Sequence, residues 1–524
     1  MVEPVPPTEP ARRPAADAER PEPLHRAELV AVGALVALGV VLRFVTTSAL
    51  WLDEALSVNI ATLPVGDLVE ALRRDGHPPL YYVVLGGWLD LVGDSDAAVR
   101  SLSGVLSVVT LGVVWWWTRV RVGAVAALWA LALLAVLPFA TRYGTEARMY
   151  ALVMLLVAVG GVALVRLVER PGWAPAVVLW ACATALLYTH YWALWVLAVT
   201  GVGLLWVAWR PPSARHRRSA WLGVAALVAA GVAFLPWVPV LLDQLASTGT
   251  PWSDPVRPTA AIATSLVDIA GGLLASEAVL GAAGLAVLLL LGLTGRAGER
   301  GQVHLDLGTR PTVRPELVAA GATLLLGGAV AWVTGGGFAS RYAAVVVPML
   351  AVGAGAGAAV ISGAVRRVVL VGGLAALLGG VAVIGAVDQR TQAEEAARAI
   401  AADAGPDDLV AVCPDQLGPA VRRALPDPID VVRVPDLGDP RFVDWRDYEA
   451  RNDAVDMGAV AAELLDRAGD GTLWLVWVGG YRTLEGDCEA LAAALGGVRR
   501  AEGVVAADGE TYFEPMSVFR FAAG

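Results

Sequence analysis

The residues best placed to do chemistry fall in four short stretches. Trp51, Asp53 and Glu54 stand at the start of the helical segment ALSVNIATL. A carboxylate there either caps that helix or acts as a general base. A base must lie within hydrogen-bond reach of the hydroxyl it deprotonates and must face a pocket. Neighbours at a helix start point in different directions, so Asp53 can serve catalysis while Glu54 orients a partner. Downstream come Asp75, Gly76, His77, Pro78 and Pro79, with Tyr82 just beyond. The prolines fix the backbone and open the next helix. His77 either completes a rigid turn or donates to a phosphate or sugar hydroxyl. In ATRYGTEAR, Glu146 stands between Arg142 and Arg148. That group is either a surface ion-pair cluster of little energetic value or a second acidic site facing Asp53, for a metal or an acceptor. Arg341-Tyr342 follows a run of glycines, and His190 lies in YTHYW. Arg341 either snorkels to an interface or neutralises a phosphate through charge-assisted hydrogen bonds. The chain has no lysine, so a phosphate clamp must be made of Arg, whose planar fork suits phosphate oxygens.

The elements that must hold these residues are membrane helices. Of the 524 residues, 57% are hydrophobic and only 17% charged, and mean hydropathy is +0.62. Soluble domains rarely exceed about half apolar content. Between charge clusters lie apolar runs of roughly 17–22 residues, enough to cross a hydrocarbon core of ~30 Å. Spans are expected near 27–45, 98–118, 122–139, 148–168, 173–189, 191–209, 219–241, 276–293, 316–333, 342–362 and 366–387. The apolar stretch 79–92 is shorter and contains Gly86, Gly87 and Asp90; such a run suits an interfacial or re-entrant helix. If it does not cross, most arginines fall in loops on one side and a scattered few, among them Arg73, Arg74, Arg142, Arg257 and Arg341, on the other. That arrangement satisfies the positive-inside rule. It puts the N-terminus in the cytoplasm, the C-terminal region outside, and every stretch singled out above on the outer side. Residues 1–24, rich in Pro, Ala, Arg and Glu, read as a disordered cytoplasmic tail. The basic groups sit in short loops, a pattern of topology and not of nucleic-acid binding.

Beyond 388 the pattern changes. Helical AEEAARAIAADAG, strand DDLVAVC, helical QLGPAVRRAL, extended IDVVRV, a helix at 456–468, a strand at 472–478, a helix at 487–496 and two final strands predict a small α/β layer domain over 388–524. It has no GxGxxG after a strand and no Walker motif, so no nucleotide site is expected. Of three cysteines, Cys182 lies in an apolar run as a small core residue. Cys413 and Cys488 lie in the terminal domain, where a disulfide is left open. No Cys/His pattern points to zinc.

The order LWLDEALS, then DGHPPLYYVVLGGWLDLVGDSDAAVRSLS, then RYGTEARMYAL, then GGGFASRYAAVVVPML resembles the GT-C glycosyltransferases. It is most similar to the glycosyltransferase family 39 group, which includes protein O-mannosyltransferases and the aminoarabinose transferases of lipid A. The resemblance covers about 25–365; the terminal domain looks similar to extracytoplasmic domains appended to such enzymes in actinobacteria. It implies a polytopic α-helical membrane protein of GT-C type, with about eleven transmembrane helices at 25–387. The implied activity is transfer of a sugar, mannose first and arabinofuranose next, from a polyprenyl-phosphate donor to a hydroxyl of a glycan, glycolipid or protein. By that likeness Asp53, with Glu54 beside it, lies at the catalytic centre. His77 takes the HPP position, Glu146 the acidic position of the second outer loop, and Arg341 contacts the lipid phosphate. No cofactor is required, although Asp53 and Glu146 could share Mg or Mn. The terminal domain is expected to help bind a glycan acceptor. The rival class is a polytopic transporter or lipid flippase. Transporters commonly carry ionisable groups at mid-membrane and inverted repeats; here the spans are nearly free of charge and no repeat is found.

Overall fold

The computed structural model describes residues 24–249, 255–272, 276–298 and 302–522; the proposed tail lies, but for its last residue, outside them. Each expected span coincides with a helix. Among the described residues, six helical stretches are long and apolar enough to cross a membrane: Asp96–Arg121, Tyr150–Glu169, Ala214–Ser247, Ser276–Thr294, Arg314–Thr334 and Ala364–Val387. Shorter apolar helices stand among them, including Ala124–Val136 and Val347–Val360. The helical part is that of a multi-pass membrane protein. An unexpected helix, Pro258–Ile269, begins on a proline at its first position. An unexpected hairpin pairs β1 (Gly295–Ala297) with β2 (Val303–Leu305).

Buried arginines tie this bundle together. Arg43, at the end of helix Arg26–Leu42, donates to the carbonyls of Gly39, Leu134 and Ala135 and to Ser107 Oγ, so one side chain bonds three helices. At the opposite end, Arg367 meets Glu28 at 2.7 Å, and Trp129 Nε1 donates to the same carboxylate.

The stretch after the first helix builds the end that carries the site. Helix Leu52–Ala61 is followed by the amphipathic helix Val65–Asp75, whose Leu68 and Leu72 are buried. It stops at Gly76, whose φ of 86° is costly for any residue with a Cβ. The chain then turns through His77 into helix Leu80–Val92. That helix has 13 residues, about 20 Å at 1.5 Å per residue, too short for a ~30 Å core. It buries Tyr81, Tyr82, Leu85 and Leu89 and exposes Val83, Leu91 and Val92.

The terminal domain is a doubly covered sheet. Its strands are β3 (Gln389–Thr391), β4 (Leu409–Cys413), β5 (Asp430–Arg433), β6 (Leu473–Trp477), β7 (Ala501–Val505), β8 (Tyr512–Glu514) and β9 (Ser517–Phe521). The main sheet runs β5-β4-β6-β9-β7; β5, β4 and β6 are parallel, and β9 turns antiparallel to β6 and β7. β3 and β8 form a separate parallel pair. Because side chains alternate across a strand, Val410, Val412, Trp474 and Val476 pack on one face with Ala396, Ile400 and Ala420. Leu409, Ala411, Cys413 and Leu475 pack on the other with Leu464 and Leu491. Cys413 is joined to Cys488.

Candidate active site

Asp53 lies in the first turn of helix Leu52–Ala61, but the N-cap is Trp51, whose side chain makes no capping bond. The capping reading is therefore corrected: the Asp53 side chain reaches instead to two arginines. Its Oδ2 lies 3.4 Å from Arg341 Nη1 and 3.7 Å from Arg148 Nε. Arg341 comes from the six-residue 3-10 helix Ser340–Val345, after the glycine run. Arg148 comes from the turn before helix Tyr150–Glu169. Arg148 also donates through Nη1 to Ser57 Oγ and through Nη2 to His77 Nε2, each at 3.3 Å. A guanidinium can only donate, so His77 Nε2 accepts and Nδ1 carries the hydrogen toward Asp75 Oδ2, 2.9 Å away. Tyr82 Oη donates to the same oxygen at 2.7 Å. Burial would favour neutral Asp75, but His77, then Arg148 and the Tyr82 hydroxyl, hold its carboxyl below the usual range.

An aromatic wall closes the site. The ring of His190 packs 5.4 Å from Tyr342 and 5.7 Å from Tyr150, and Tyr342 stacks on Trp192 at 5.1 Å. His190 Nδ1 accepts from the Trp192 amide. Burial, reinforced by His77, Arg148 and Arg341, depresses the basicity of His190 far below the ordinary imidazole range. Three buried donors or acceptors of this cluster have no hydrogen-bond partner in the structure: Arg148 Nε, Arg341 Nε and His190 Nε2. Buried polar atoms are normally paired, so these three, close to Asp53, have hydrogen-bonding capacity left unused within the chain.

Seven of the residues singled out from the sequence thus meet: Asp53, His77, Tyr82, Arg148, His190, Arg341 and Tyr342. Glu54, Arg142 and Glu146 belong to a neighbouring buried network. Glu54 is fully buried. Its Oε2 pairs with Arg100 at 2.5 Å, while its Oε1 accepts from Arg100, Arg390 and the Ala147 amide. Burial alone would raise its pKa, yet Arg390 and Arg100 outweigh that and hold the carboxyl below its ordinary range. With both oxygens engaged, Glu54 has the geometry of an anchor. Glu146 pairs with Arg142 at 3.0 Å, with its side chain only 3% exposed, so neither the surface cluster nor the pairing across to Asp53 describes it. Among the described residues no group of three or more His, Cys, Asp or Glu could hold a metal ion. A separate cavity of about 290 Å³, bordered by Arg43, Ser48, Asp96, Arg100, Thr145 and Glu394, touches none of Asp53, His77, Arg148 or Arg341.

Sequence reasoning missed the groups supplied by the terminal domain. Arg390 of β3 enters the helical part, where it meets Glu54 and donates to the Thr145 carbonyl and hydroxyl. Arg423 pairs with Asp96 at 3.0 Å. Glu514 of β8 accepts from the Leu52 amide at 3.3 Å, and Phe513 meets Trp51 edge-on at 5.5 Å. Asp75 was visible in the DGHPP motif, but nothing local marked it as the partner of His77.

A family model described as dolichyl-phosphate-mannose-protein mannosyltransferase matches residues 76–239, under half of the chain. No curated protein matches the chain. Among solved structures, ArnT from Cupriavidus metallidurans bound to undecaprenyl phosphate is similar over 94% of this chain and 97% of its own, with a TM-score of 0.60 and 14% identity. Its apo form gives 0.58 and 15% over the same shares. The arabinofuranosyltransferase AftD from Mycobacteria gives 0.52 and 13%, over 94% of this chain and 40% of its own. Through these likenesses, which extend from the helical part into the terminal sheet, the chain has the GT-C fold.

Proposed function

We propose that the chain is a membrane glycosyltransferase that moves a sugar from a polyprenyl-phosphate donor to a hydroxyl acceptor, with Asp53 as general base. The observation that carries this reading is Asp53 held loosely between Arg148 and Arg341, whose buried Nε atoms have no hydrogen-bond partner. Two guanidinium groups beside a carboxylate fit a reaction in which a phosphate leaves and a hydroxyl loses its proton at neighbouring points. The ArnT structure that shares the fold is one bound to undecaprenyl phosphate, and the matching family model is described by a mannosyl lipid phosphate. Mannose is therefore the first sugar to test and arabinofuranose, after AftD, the second.

In this mechanism the acceptor oxygen attacks the anomeric carbon as the bond from that carbon to the phosphate oxygen breaks. The transition state is oxocarbenium-like. The proton of the acceptor passes to Asp53. Arg341 and Arg148 stabilise the charge that develops on the departing lipid phosphate. His77, oriented by Asp75, fixes Arg148 in turn, and Tyr342 and His190 wall the donor's headgroup. Arginines already balance Asp53 and Glu146, so the mechanism needs no divalent ion between them. We place the site and the terminal domain on the outer face of the plasma membrane, with the N-terminus in the cytoplasm. The positive-inside pattern of the loops supports this, as does the Cys413–Cys488 disulfide, a bond that persists in oxidising compartments.

The test is purified protein offered a panel of radiolabelled polyprenyl-phosphate sugars. Asp53→Asn should lower transfer on the order of a thousandfold while the donor still binds. Transfer by that variant at the wild-type rate would overturn the reading.

A further inference from the structure

The bundle end farthest from Asp53 carries a patch of arginine and tryptophan. Helix Tyr150–Glu169 begins beside Arg148 and has 20 residues, so its far end lies about 30 Å away at 1.5 Å per residue. Helix Ala193–Trp209, which follows His190, ends at the same level, and helix Ala214–Phe234 begins there. Ser219 Oγ donates to the Leu167 carbonyl at 2.7 Å, and Leu204, Ala208 and Ala220 share one buried cluster. These contacts fix the three helix ends against one another. Helix Asp96–Arg121 joins them through Trp116, which lies under Arg166.

The guanidinium groups rest on indole rings. Arg119 lies 5.6 Å from the centre of Trp115, Arg166 5.7 Å from Trp116, and Arg210 5.1 and 4.8 Å from Trp206 and Trp209. Such stacking uses the flat face of the guanidinium and leaves its in-plane N–H groups free to meet an anion. Arg215, Arg217 and Arg218 follow, all exposed. Among the described residues none of these six arginines has an ion-pair partner. At the same end Arg121 is paired with Glu316 and Arg367 with Glu28.

Topology accounts for the side on which these charges fall, but not for their being left bare beside others that are paired. The helix dipole does not account for it either. Arg215 and Arg217 stand in the first turn of helix Ala214–Phe234, the end that disfavours cations, and that turn holds no acidic residue. The occupant must be anionic where it meets the arginines and apolar just beyond them. Val202 and Leu205 of helix Ala193–Trp209 and Val228 and Val232 of helix Ala214–Phe234 are exposed. A soluble acidic protein matches only the charges. A phospholipid matches both features, and exposed indoles such as Trp206 and Trp209 suit the headgroup level.

We propose that Arg210, Arg215, Arg217 and Arg218, with Arg119 and Arg166 beside them, form a binding surface for anionic phospholipid headgroups in the leaflet away from Asp53. This surface does not depend on the transferase reading.

The test is equilibrium binding of radiolabelled dioleoyl phosphatidylglycerol to the detergent-solubilised full chain, with phosphatidylcholine, glycerol 3-phosphate and a polyglutamate peptide as competitors. Wild type should prefer phosphatidylglycerol to phosphatidylcholine about tenfold, and added salt should shrink the preference, because exposed charges are screened. The variant with Arg210→Gln, Arg215→Gln, Arg217→Gln and Arg218→Gln should lose the preference and keep its thermal midpoint. Changing the same four residues to Lys keeps the charge and should restore most of it. Arg341→Gln, at the opposite end, should leave it intact. The surface is overturned by no preference in the wild type, by a preference that survives the four Gln substitutions, or by its loss with Arg341→Gln. Equal loss in the Gln and Lys variants would indicate disturbed packing and overturn the electrostatic basis. Displacement by glycerol 3-phosphate or polyglutamate as effective as by phosphatidylglycerol would overturn the lipid as the occupant.

Discussion

At the residue scale, Asp53 and Glu54 are adjacent and have opposite surroundings. Asp53 meets its arginines at 3.4 and 3.7 Å and keeps 15% of its side chain exposed. Glu54 is sealed against Arg100, Arg390 and an amide. Removing one member of a buried ion network strands the others, at a cost of about 3–5 kcal/mol. Glu54→Ala should therefore lower the thermal midpoint and the yield of folded protein, because it leaves two buried guanidinium groups unbalanced. Glu54→Gln should do so less, since it keeps the acceptor oxygen. Asp53→Asn should leave the midpoint close to wild type and act on turnover alone. Thermal unfolding in parallel with transfer assays separates the two neighbours. A Glu54→Ala protein of wild-type stability would show that the network does not hold the site end together.

At the scale of elements, the site depends on how closely helix Leu80–Val92 approaches helix Leu52–Ala61. A Cβ placed on Gly86 would lie 2.5 Å from the Ala61 carbonyl, so no larger residue fits without parting the helices. Gly86→Leu should displace helix Leu52–Ala61 and with it Asp53. A shift of about 1 Å at a reacting group costs on the order of a hundredfold in rate. The expected outcome is a hundredfold lower kcat in a protein that still folds and binds donor; unchanged kcat would mean the two helices do not set the position of the base. Much of this geometry was legible in the sequence. The short apolar run with Gly86, Gly87 and Asp90 reads as non-crossing by length. The Asp53, His77, Arg148 and Arg341 motifs could be grouped by the side of the membrane on which their loops must fall. What stayed hidden were choices of partner among charges in one region. Glu146 turned to Arg142, four residues away, while Arg148 and Arg341 went to Asp53; the sequence supplied the charges but no local rule to pair them. Helix Pro258–Ile269 was missed because its 12 residues are too few to show as a span.

At the scale of the whole molecule, the terminal domain packs against the end of the helical part that carries Asp53, and its hold there is spread over long sequence distances. Arg390 to Glu54, Arg423 to Asp96 and Glu514 to the Leu52 amide each join residues more than 300 positions apart. No periodicity or motif reports such docking, which is why a sequence reading could expect a separate terminal domain yet not name Glu514. The domain's own integrity rests partly on the Cys413–Cys488 bond, which ties the end of β4 to helix Asp487–Gly496 across a sequence separation of 75. Closing a loop of that length is worth about 4 kcal/mol through the entropy of the unfolded chain. Cys413→Ala with Cys488→Ala should therefore lower the domain's unfolding midpoint, as should reductant acting on the wild type. Asp415 and Gln416 stand two and three residues after Cys413, so a loosened β4 end should raise the acceptor KM before it affects the donor binding proposed at Arg148 and Arg341 in the helical part. Scanning calorimetry with and without reductant, alongside acceptor and donor titrations, measures both consequences. Equal loss of donor and acceptor affinity would show that the domain props up the helical site as a whole instead of furnishing one of its two halves.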